Sequence, residues 1–292
     1  MRTHLEPSCL VGLIGSGIQA SRTPAMHERE GTAQGIRYIY KLIDLDRLGL
    51  DASALPDLLM AAERMGFAGL NITHPCKQAV LSLLHDLSPD AAAIGAVNTV
   101  VLRDGKRVGH NTDWFGFAEN VRRNLPDATR ERVVQLGAGG AGSAVAHALL
   151  TLGVRHLSIS DIDAGRAGML AEGLARRFSG AVVDAVTDVA NAVANAVEQA
   201  DGLVNTTPMG MVAHPGLPLP RSLLRPTLWV AEIVYFPMET ELLRQARAIG
   251  CRTLDGGGMA VFQAVEAFRL FTGVAPDAAR MQAHFAAMDA AG

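Results

Sequence analysis

Cysteine is scarce in this sequence, with three residues among 292. Cys9, Cys76 and Cys251 are widely separated and show no Cys-x-x-Cys spacing. This pattern argues against a disulfide framework and against a zinc site, so we expect no bound metal. It also indicates a reducing, cytoplasmic compartment.

The sequence also lacks an excess of charge and long apolar runs. The formal net charge of -3 gives no reason to expect nucleic acid or an acidic membrane as a partner. No apolar run approaches the length that crosses a bilayer, and residues 1–10 carry charges and a proline where a signal peptide would have an apolar core. With 49% hydrophobic and 19% charged residues, the composition is typical of a soluble globular protein with room for two domains.

A glycine-rich segment is the most informative feature that is present. An apolar strand over residues 133–136 leads into Gly-Ala-Gly-Gly-Ala-Gly, and an alanine-rich helix follows. This order is typical of the phosphate-binding start of a βαβ unit, where Gly137 permits a tight turn, Gly139 lets the backbone approach a pyrophosphate and Gly142 lets the helix pack closely on the strand. The candidate phosphate-binding residues are Gly137, Ala138, Gly139, Gly140, Ala141 and Gly142.

An acidic residue follows the next strand. The strand at residues 156–160 ends at Asp161, a position from which a carboxylate can accept hydrogen bonds from both hydroxyls of an adenosine ribose. Together with the glycine-rich turn, it predicts a bound dinucleotide. The alternative is a purely structural βαβ turn without a ligand.

Strands and helices alternate along the chain, which predicts an α/β protein of two domains with mostly parallel sheets. Strands are expected at residues 10–14, 37–43, 66–72, 133–136, 156–160, 180–183, 202–205 and 228–231. Helices are expected at residues 23–30, 55–65, 78–87, 113–124, 259–272 and 277–289, and a hairpin joins residues 97–102 to 107–110. Residues 1–110 are assigned to a first domain and residues 111–259 to a dinucleotide-binding domain. The C-terminal helices within residues 260–292 are expected to return to the first domain.

Polar clusters follow several of the predicted strands. Ser21 and Thr23 can bind a ligand carboxylate or hydroxyl, but Thr23-Pro24 equally fits a helix start with proline in its first turn. Lys77 follows Asn71-Ile72-Thr73-His74-Pro75-Cys76 at a strand end, where a lysine enclosed in a cleft would be suited to proton transfer. A solvated surface lysine is the alternative.

Three further segments have both a functional and a structural interpretation. Asn111-Thr112-Asp113 can cap a helix, or Asp113 can orient Lys77 by a charge-assisted hydrogen bond. Thr206, Thr207 and Met209 suit contact with a nicotinamide ring but also fit a plain turn. The glycines at 256–258 can allow a close backbone approach or a hinge, and Gln263 lies one helical turn after Met259.

Taken together, seven segments in order resemble the shikimate dehydrogenase family, in particular its quinate/shikimate dehydrogenase branch. They are residues 21–27, 71–77, 94–99, 109–113, 137–142, 205–210 and 258–263. The resemblance covers nearly the whole chain and implies an N-terminal substrate domain, a Rossmann-type cofactor domain and catalysis in the cleft between them.

The resemblance also implies residue roles. Lys77 and Asp113 match the catalytic pair. The matched substrate ligands are Ser21, Thr23, Thr73, Asn98, Tyr235 and Gln263. The matched cofactor residues outside the glycine-rich turn are Asp161, Arg166, Thr206, Thr207, Met209 and Gly258. Phe236 stands where the family often has asparagine, which leaves any polar role of that position open.

Cofactor choice is predicted from the residues after the second strand of the dinucleotide unit. NADP-preferring relatives typically have Asn-Arg-Thr there, whereas this chain has Asp161-Ile162-Asp163 and its next basic residue is Arg166. We therefore expect NAD to be preferred and NADP to bind more weakly. The expected partner is a small ring acid, shikimate or quinate, and the expected assembly is a monomer or homodimer.

Several alternatives stay open at this point. Within the enzyme class they are an NADP-dependent biosynthetic shikimate dehydrogenase and an aminoshikimate-type dehydrogenase. Outside it, the fold would permit a dinucleotide-binding regulatory protein without turnover. The presence of both Lys77 and Asp113 favours an enzyme.

Overall fold

The computed structural model describes residues 8–186 and 192–290. By its internal contacts the chain divides into two compact units. The first unit comprises residues 1–112 and 261–292, and the second comprises residues 113–260.

The first unit is built on a six-stranded sheet. Its strands are β1 (Ser8–Gly15), β2 (Arg37–Asp44), β3 (Gly69–Ile72), β4 (Asp86–Leu87), β5 (Thr99–Arg103) and β6 (Lys106–His110). Its helices before residue 112 are α1 (Thr23–Ala33), α2 (Leu45–Leu48), α3 (Leu55–Arg64), α4 (Cys76–Ala79) and α5 (Pro89–Ile94), with 3-10 turns at Ala52–Ala54 and Val80–Leu83. The sheet order is β2-β1-β3-β5-β6-β4. Strand β5 runs antiparallel to both neighbours, and the other pairings are parallel.

The second unit contains a six-stranded parallel sheet. Its strands are β7 (Arg132–Leu136), β8 (His156–Ser160), β9 (Val182–Ala185), β10 (Gly202–Asn205), β11 (Trp229–Glu232) and β12 (Arg252–Leu254). Its helices are α6 (Asp113–Asn124), α7 (Gly140–Thr151), α8 (Ala164–Arg177), α9 (Ala192–Glu198) and α10 (Glu241–Ile249), with a 3-10 turn at Arg221–Leu223. The sheet order β12-β11-β10-β7-β8-β9 is that of the dinucleotide-binding Rossmann fold, whose ligand crevice lies at the carboxyl ends of β7 and β10, where the strand order reverses.

Two C-terminal helices follow, α11 (Gly256–Thr272) and α12 (Ala278–Ala290). From residue 261 onward they belong to the first unit. Phe268 of α11 stacks on Tyr38 of β2, with ring centroids 5.1 Å apart. Arg280 of α12 pairs with the fully buried Glu30 of α1 at 2.7 Å. These contacts complete the core of the first unit on one face of its sheet.

The predicted α/β class with mostly parallel sheets is confirmed. The predicted hairpin is also present, and its turn residues Asp104 and Gly105 both have the positive φ of a two-residue turn, at 53° and 71°. Beyond the predicted elements, the second unit contains α8, α9, α10 and β12, which the sequence analysis left unassigned.

One predicted helix is wrong. Residues 78–87 were expected to form one helix, but α4 ends at Ala79, a 3-10 turn follows, and the segment then becomes strand β4. Backbone pairing with β6 explains the difference, because the N–H of His85 donates to Arg107 and that of Ser88 to Gly109. The apolar spacing suited a helix, but this long-range pairing decides the structure. Helix α11 also begins at Gly256, three residues before the predicted start.

Candidate active site

The predicted substrate residues of the first unit follow from its strand directions. Ser21 and Thr23 come after β1, Thr73 after β3, and Asn98 immediately before the antiparallel β5. Parallel strands present their carboxyl ends at one edge of a sheet, and an antiparallel neighbour begins at that edge. The topology therefore brings residues from three loops to the same edge, where ligands of open α/β sheets bind.

Backbone hydrogen bonds fix this edge. The carbonyl of Asn98 accepts from the N–H of Ile72 at 2.8 Å, and the N–H of Thr73 donates to Ile14 at 2.9 Å. Gly15 lies so close to Thr73 that a Cβ at position 15 would stand 2.2 Å from the Thr73 methyl carbon. Thr73 is thus held between the ends of β1 and β3, beside Asn98.

Lys77 lies at the same edge, on the short helix α4, and its side chain is half-buried. Its backbone carbonyl accepts from the N–H of Val97 at 3.0 Å. The next residue, Asn98, accepts from the N–H of Thr112 through its side-chain oxygen at 2.7 Å. Asp113, buried and the first residue of α6, follows Thr112 in the chain. Lys77 is therefore hydrogen-bonded to Val97, and Thr112 to the next residue, Asn98.

A buried polar network that sequence reasoning missed supports Asn98. The hydroxyl of Tyr40 donates to Asn71 at 2.7 Å, and the Asn71 amide donates to the Thr99 hydroxyl at 3.0 Å. Thr99 in turn donates to the Asn98 side chain at 3.1 Å, and the Asn98 amide donates to Thr112 at 3.0 Å. Buried polar groups with satisfied hydrogen bonds rigidify their surroundings, so this network fixes the orientation of Asn98.

Ser21 and Thr23 show features of a helix start and of a ligand-binding loop. Helix α1 begins at Thr23 with Pro24 in its first turn, as the capping interpretation requires. Its N-cap residue, Arg22, makes no side-chain capping bond. The Ser21 hydroxyl accepts from the N–H of Thr23 at 3.3 Å. Both side chains are half-buried, and the Ser21 hydroxyl, which accepts in this bond, keeps its proton for donation.

The glycine-rich turn has the geometry expected of a phosphate-binding turn. Gly137 has a φ of 98°, and a Cβ at Gly142 would stand 2.5 Å from the Gly137 carbonyl oxygen. Both positions therefore require glycine. In contrast, a Cβ at Gly139 or Gly140 would meet no atom of the described chain within 4 Å. The open side of the turn thus lies at the N-terminus of the twelve-residue helix α7, where anions bind favourably.

Two side chains hold this turn from beneath. The amide of Gln135 donates to the carbonyls of Gly137 at 2.8 Å and Gly142 at 2.9 Å. The Thr206 hydroxyl donates to Leu136 at 2.7 Å and to Gly137 at 2.9 Å. Thr206 was predicted to face the cofactor, and its observed hydrogen bonds are to the turn itself. Gln135 is fully buried and was not singled out in the sequence.

Asp161 lies beside the same turn. Its carboxylate accepts from the N–H of Ala138 at 2.7 Å and from that of Asp163 at 2.9 Å. Arg166 lies 3.7 Å from Asp161 and 3.5 Å from Asp163. The arginine is half-exposed whereas the Asp161 side chain is 6% exposed, so the acidic group is fixed and the basic one is free to reorient.

The loop after β10 is organised by Asn205. The Asn205 side-chain oxygen accepts from the backbone N–H of Thr207 at 3.1 Å and from its hydroxyl at 2.7 Å. The Asn205 amide donates to the carbonyl of Met209 at 2.9 Å and to the buried carboxylate of Glu232 at 3.0 Å. Glu232 was missed in the sequence because a single acidic residue at a strand end carries no motif.

The remaining predicted residues lie on α11 and after β11. A Cβ at Gly258 would stand 2.0 Å from the Asn120 side chain of α6, so this glycine is required for close helix packing. Gln263 is half-buried, one turn before Glu266, whose charge acts on His110 at the end of β6. Tyr235, three residues beyond β11, is 37% exposed.

The residues present fit a dinucleotide. An open glycine-rich turn, a helix N-terminus and a fixed carboxylate lie at the carboxyl ends of β7 and β8, the two strands that bind the phosphates and the ribose in this fold. No helix in residues 8–186 or 192–290 has the length and apolarity to cross a membrane. Within the same residues, no group of three or more His, Cys, Asp or Glu side chains could hold a metal ion.

Comparisons with known proteins agree on one family. Residues 13–100 match the model of the shikimate dehydrogenase substrate binding domain, and residues 256–284 match that of the shikimate 5'-dehydrogenase C-terminal domain. The chain is 60% identical to a shikimate dehydrogenase (NADP(+)) of Streptomyces avermitilis, over 96% of each sequence. It is 53% identical to a quinate/shikimate dehydrogenase (NAD(+)) of Corynebacterium efficiens, over 95% of this chain and 98% of that protein. The structure of a quinate dehydrogenase from Corynebacterium glutamicum in complex with NAD superimposes with a TM-score of 0.90 at 50% identity, covering 97% of this chain and 100% of the other.

Proposed function

Because the chain belongs to the shikimate dehydrogenase family, we propose that it oxidises the ring secondary alcohol of shikimate, quinate or both, with NAD as the preferred cofactor. It is an NAD(P)-dependent oxidoreductase that acts on CH–OH groups. The corresponding ketone products are 3-dehydroshikimate and 3-dehydroquinate.

One observation carries the proposal. A sheet edge with polar side chains from three loops, Lys77 among them, occurs in the same chain as a Rossmann sheet with an open phosphate-binding turn. The first unit thus offers groups for binding a small polar substrate, and the second offers those for a dinucleotide. We assign the substrate to the first unit and the cofactor to the second.

Lys77 and Asp113 are the proposed catalytic residues. Oxidation of a secondary alcohol removes a proton from oxygen and a hydride from carbon, and the nicotinamide ring supplies the hydride acceptor when the cofactor is bound. Lys77 takes the proton from the reacting hydroxyl, and Asp113 orients Lys77. A positioned acid–base group of this kind contributes about 10²–10⁴-fold to the rate.

The substrate is held by hydroxyl and amide groups. Ser21 and Thr23 bind the ring carboxylate, and the ring hydroxyls are bound by Thr73, Asn98, Gln263 and Tyr235. Thr23 adds a methyl group where the family's biosynthetic members usually have a second serine, which reshapes the pocket around the carboxylate. This difference supports acceptance of quinate in addition to shikimate.

The preference for NAD rests on Asp161. A 2′-phosphate would lie against a fixed carboxylate, and at about 4 Å with an effective dielectric near 20 each charge pair costs roughly 4 kcal/mol before screening. The ribose hydroxyls of NAD would instead donate to Asp161. Arg166 is the basic group that can moderate the difference, since its side chain is half-exposed. The relatives include both NADP(+) and NAD(+) enzymes, so substitution of residue 161 is the direct test of the preference.

Compartment and partners follow from the same proposal. The three cysteines are free and buried, which fits a cytoplasmic enzyme in a reducing compartment. Its partners are the cofactor and the ring acid, with no nucleic acid or membrane, and the enzyme acts as a monomer or homodimer.

Initial rates with shikimate and quinate, each with NAD and with NADP, test the proposal. We expect activity with shikimate and with quinate, and a larger kcat/KM with NAD. Turnover with NADP and shikimate alone would support the biosynthetic alternative. Dinucleotide binding without turnover of either acid would support a regulatory protein.

A further inference from the structure

Glu232 is a buried carboxylate at the carboxyl edge of the Rossmann sheet. It is the last residue of β11, and only 2% of its surface is exposed. Its register partner on the neighbouring strand is Asn205, the last residue of β10. The Asn205 amide nitrogen lies 3.0 Å from each oxygen of the Glu232 carboxylate. Glu232 is not among the residues proposed to act in catalysis or to bind substrate or cofactor.

The other hydrogen bonds to this carboxylate all come from uncharged donors. One oxygen also accepts from the N–H of Val234 at 3.1 Å, and the second accepts from the Thr240 hydroxyl at 3.2 Å. The Thr240 oxygen itself accepts from the N–H of Leu243 at 3.3 Å, as the N-cap of α10. The hydroxyl proton is thereby directed toward Glu232. Donors on β10, in the segment after β11 and at the N-cap of α10 thus surround an acceptor, and the arrangement suits the ionised carboxylate.

Asn205 transmits this arrangement to the loop of residues 206–211. Its side-chain oxygen receives two hydrogen bonds from Thr207, and its amide donates to Met209. The loop also packs directly on the carboxylate, because a Cβ at Gly210 would stand 3.2 Å from the Thr240 side chain and 3.6 Å from a Glu232 oxygen. The orientation of the Asn205 amide and the shape of the loop therefore depend on Glu232.

We propose that Glu232 is a positioning residue, which through Asn205 holds the loop of residues 206–211 in the shape that receives the nicotinamide end of the dinucleotide. This inference rests on the proposed function, which assigns Thr207 and Met209 to the nicotinamide. Glu232, which is assigned no contact with cofactor or substrate, would then control how tightly the nicotinamide end of the cofactor binds.

The inference makes the binding of NAD dependent on pH. Burial raises the pKa of Glu232 to about 7, against the opposing effect of its hydrogen bonds from Asn205, Val234, Thr240 and the Ile233 backbone. Protonation would add a donor where every neighbouring group already donates, so the hold on Asn205 weakens. The affinity for NAD therefore falls below pH 7, by up to about tenfold for each pH unit if the ionised form alone binds.

The experiment compares two ligands that differ in the nicotinamide. We would measure the Kd of NAD and of ADP-ribose between pH 5.5 and 8.5, by titration without substrate, for the wild type and for Glu232→Gln. The matched control is Glu241→Gln, which removes a partly exposed carboxylate paired with Arg244. We expect Glu232→Gln to raise the Kd of NAD about tenfold at pH 8 and to flatten its pH profile. In Glu232→Gln the Kd of ADP-ribose should match that of the wild type. In Glu241→Gln the pH profiles of both Kd values, for NAD and for ADP-ribose, should match those of the wild type.

A second pair of variants keeps the test informative if Glu232→Gln fails to fold. Thr240→Val removes the hydroxyl that stabilises the ionised carboxylate and should move the midpoint of the NAD profile to higher pH, whereas Thr240→Ser keeps the wild-type midpoint. The inference is overturned if the wild-type Kd of NAD is independent of pH, or if NAD and ADP-ribose weaken equally in Glu232→Gln. A wild type that binds neither ligand would overturn the proposed function itself, which separates the two failures.

Discussion

The carboxylate of Asp161 accepts a hydrogen bond from the backbone N–H of Ala138, at 2.7 Å. Residue 161 therefore holds the glycine-rich turn and also carries the charge proposed to select the cofactor. Its second oxygen accepts from the N–H of Asp163, which ties the turn to the start of α8. A substitution that tests selectivity has to keep an acceptor for these N–H groups.

The first prediction concerns Asp161→Asn. The wild type should prefer NAD over NADP by at least about tenfold in kcat/KM. Asparagine removes the negative charge but keeps one side-chain oxygen, so the preference should narrow or reverse while NAD still binds. Asp161→Ala should narrow it as well, but with weaker binding of both cofactors, because the N–H groups of Ala138 and Asp163 lose their acceptor. Initial-rate kinetics with both cofactors measure the effect.

Asp184→Asn is the matched control for that experiment. It makes the same change of charge in the second unit, at a half-exposed aspartate paired with His156. The control should leave the cofactor preference as it is in the wild type. Equal kcat/KM for NAD and NADP in the wild type would refute the role of Asp161.

The second prediction concerns the proposed catalytic pair. Lys77→Ala and Asp113→Ala should each lower kcat by about 10²–10⁴-fold. Both residues are assigned to proton transfer and neither lies on the glycine-rich turn, so the Kd of NAD should stay near the wild-type value. Steady-state kinetics across pH, combined with NAD titrations, separate the two effects.

Lys106→Ala provides the comparison, since Lys106 is an exposed lysine of the first unit paired with Asp86 at 3.5 Å. It should keep wild-type kcat. If Lys77→Ala kept near wild-type turnover at every pH, Lys77 would not be the acid–base group.

The third prediction concerns Gln135, which lies beneath the phosphate-binding turn. Gln135→Met fills a similar volume but removes both hydrogen bonds to the turn, each contributing about 1 kcal/mol. The Gln135 side-chain oxygen is itself buried without a hydrogen-bond partner in the described chain, so its removal offsets part of that loss. We expect the Kd of NAD to rise by about threefold to tenfold, with a small change in the thermal unfolding midpoint. An unchanged Kd would show that the backbone alone holds the turn.

The fourth prediction concerns stability and the pair of Glu30 and Arg280. Arg280→Met leaves the carboxylate of Glu30 buried without its cationic partner, so the free energy of unfolding should fall by about 2 kcal/mol at pH 7. Arg269→Met removes a comparable but more exposed pair, with Glu266, and should cost about 0.5 kcal/mol. Denaturant unfolding of both variants measures the difference.

The same pair predicts a dependence on pH. Burial alone would raise the pKa of Glu30, but hydrogen bonds from Arg280, the Asp277 N–H and Gln34 outweigh it and lower the pKa below its ordinary 4.5. A lowered pKa in the folded state means that the stabilisation is present above pH 4.5 and is lost as the pH falls through the folded value. The difference between wild type and Arg280→Met should therefore shrink below pH 4.5. A difference that stayed constant down to pH 3 would contradict this assignment.

Local sequence was sufficient to predict some features of both units. The turn at Gly137 in the second unit and the hairpin turn at Asp104 and Gly105 in the first each depend on a positive φ that few residue types adopt. The conformation at such positions can be predicted without knowledge of the rest of the chain. The parallel sheets followed because strands and helices alternate at lengths that allow crossover connections.

What escaped prediction depends on contacts between distant residues. Strand β4 forms because β6, about 20 residues later, provides its hydrogen-bonding partners. Strand β12 has three residues, too few to show any periodicity. Glu232 is a single polar residue in an apolar strand, and its partners Asn205 and Thr240 become known once the fold places β10, β11 and the start of α10 together. Gln135 is also a single polar residue in an apolar strand, and its hydrogen bonds to Gly137 and Gly142 depend on the folded shape of the turn. Thr240 followed by Glu241 is a typical helix start, with an N-cap threonine and an acidic first turn, and from it α10 could have been predicted.

The discontinuity of the first unit has a consequence for the order in which the protein folds during synthesis. Phe268 and Phe271 of α11 complete the cluster around Tyr38 and Tyr40, yet they are synthesised after residues 113–260, which form the second unit. The second unit can therefore close its own core while the first still exposes aromatic residues of β2. Since domains fold as units as they emerge, the half of the protein that is synthesised first is the half that finishes last.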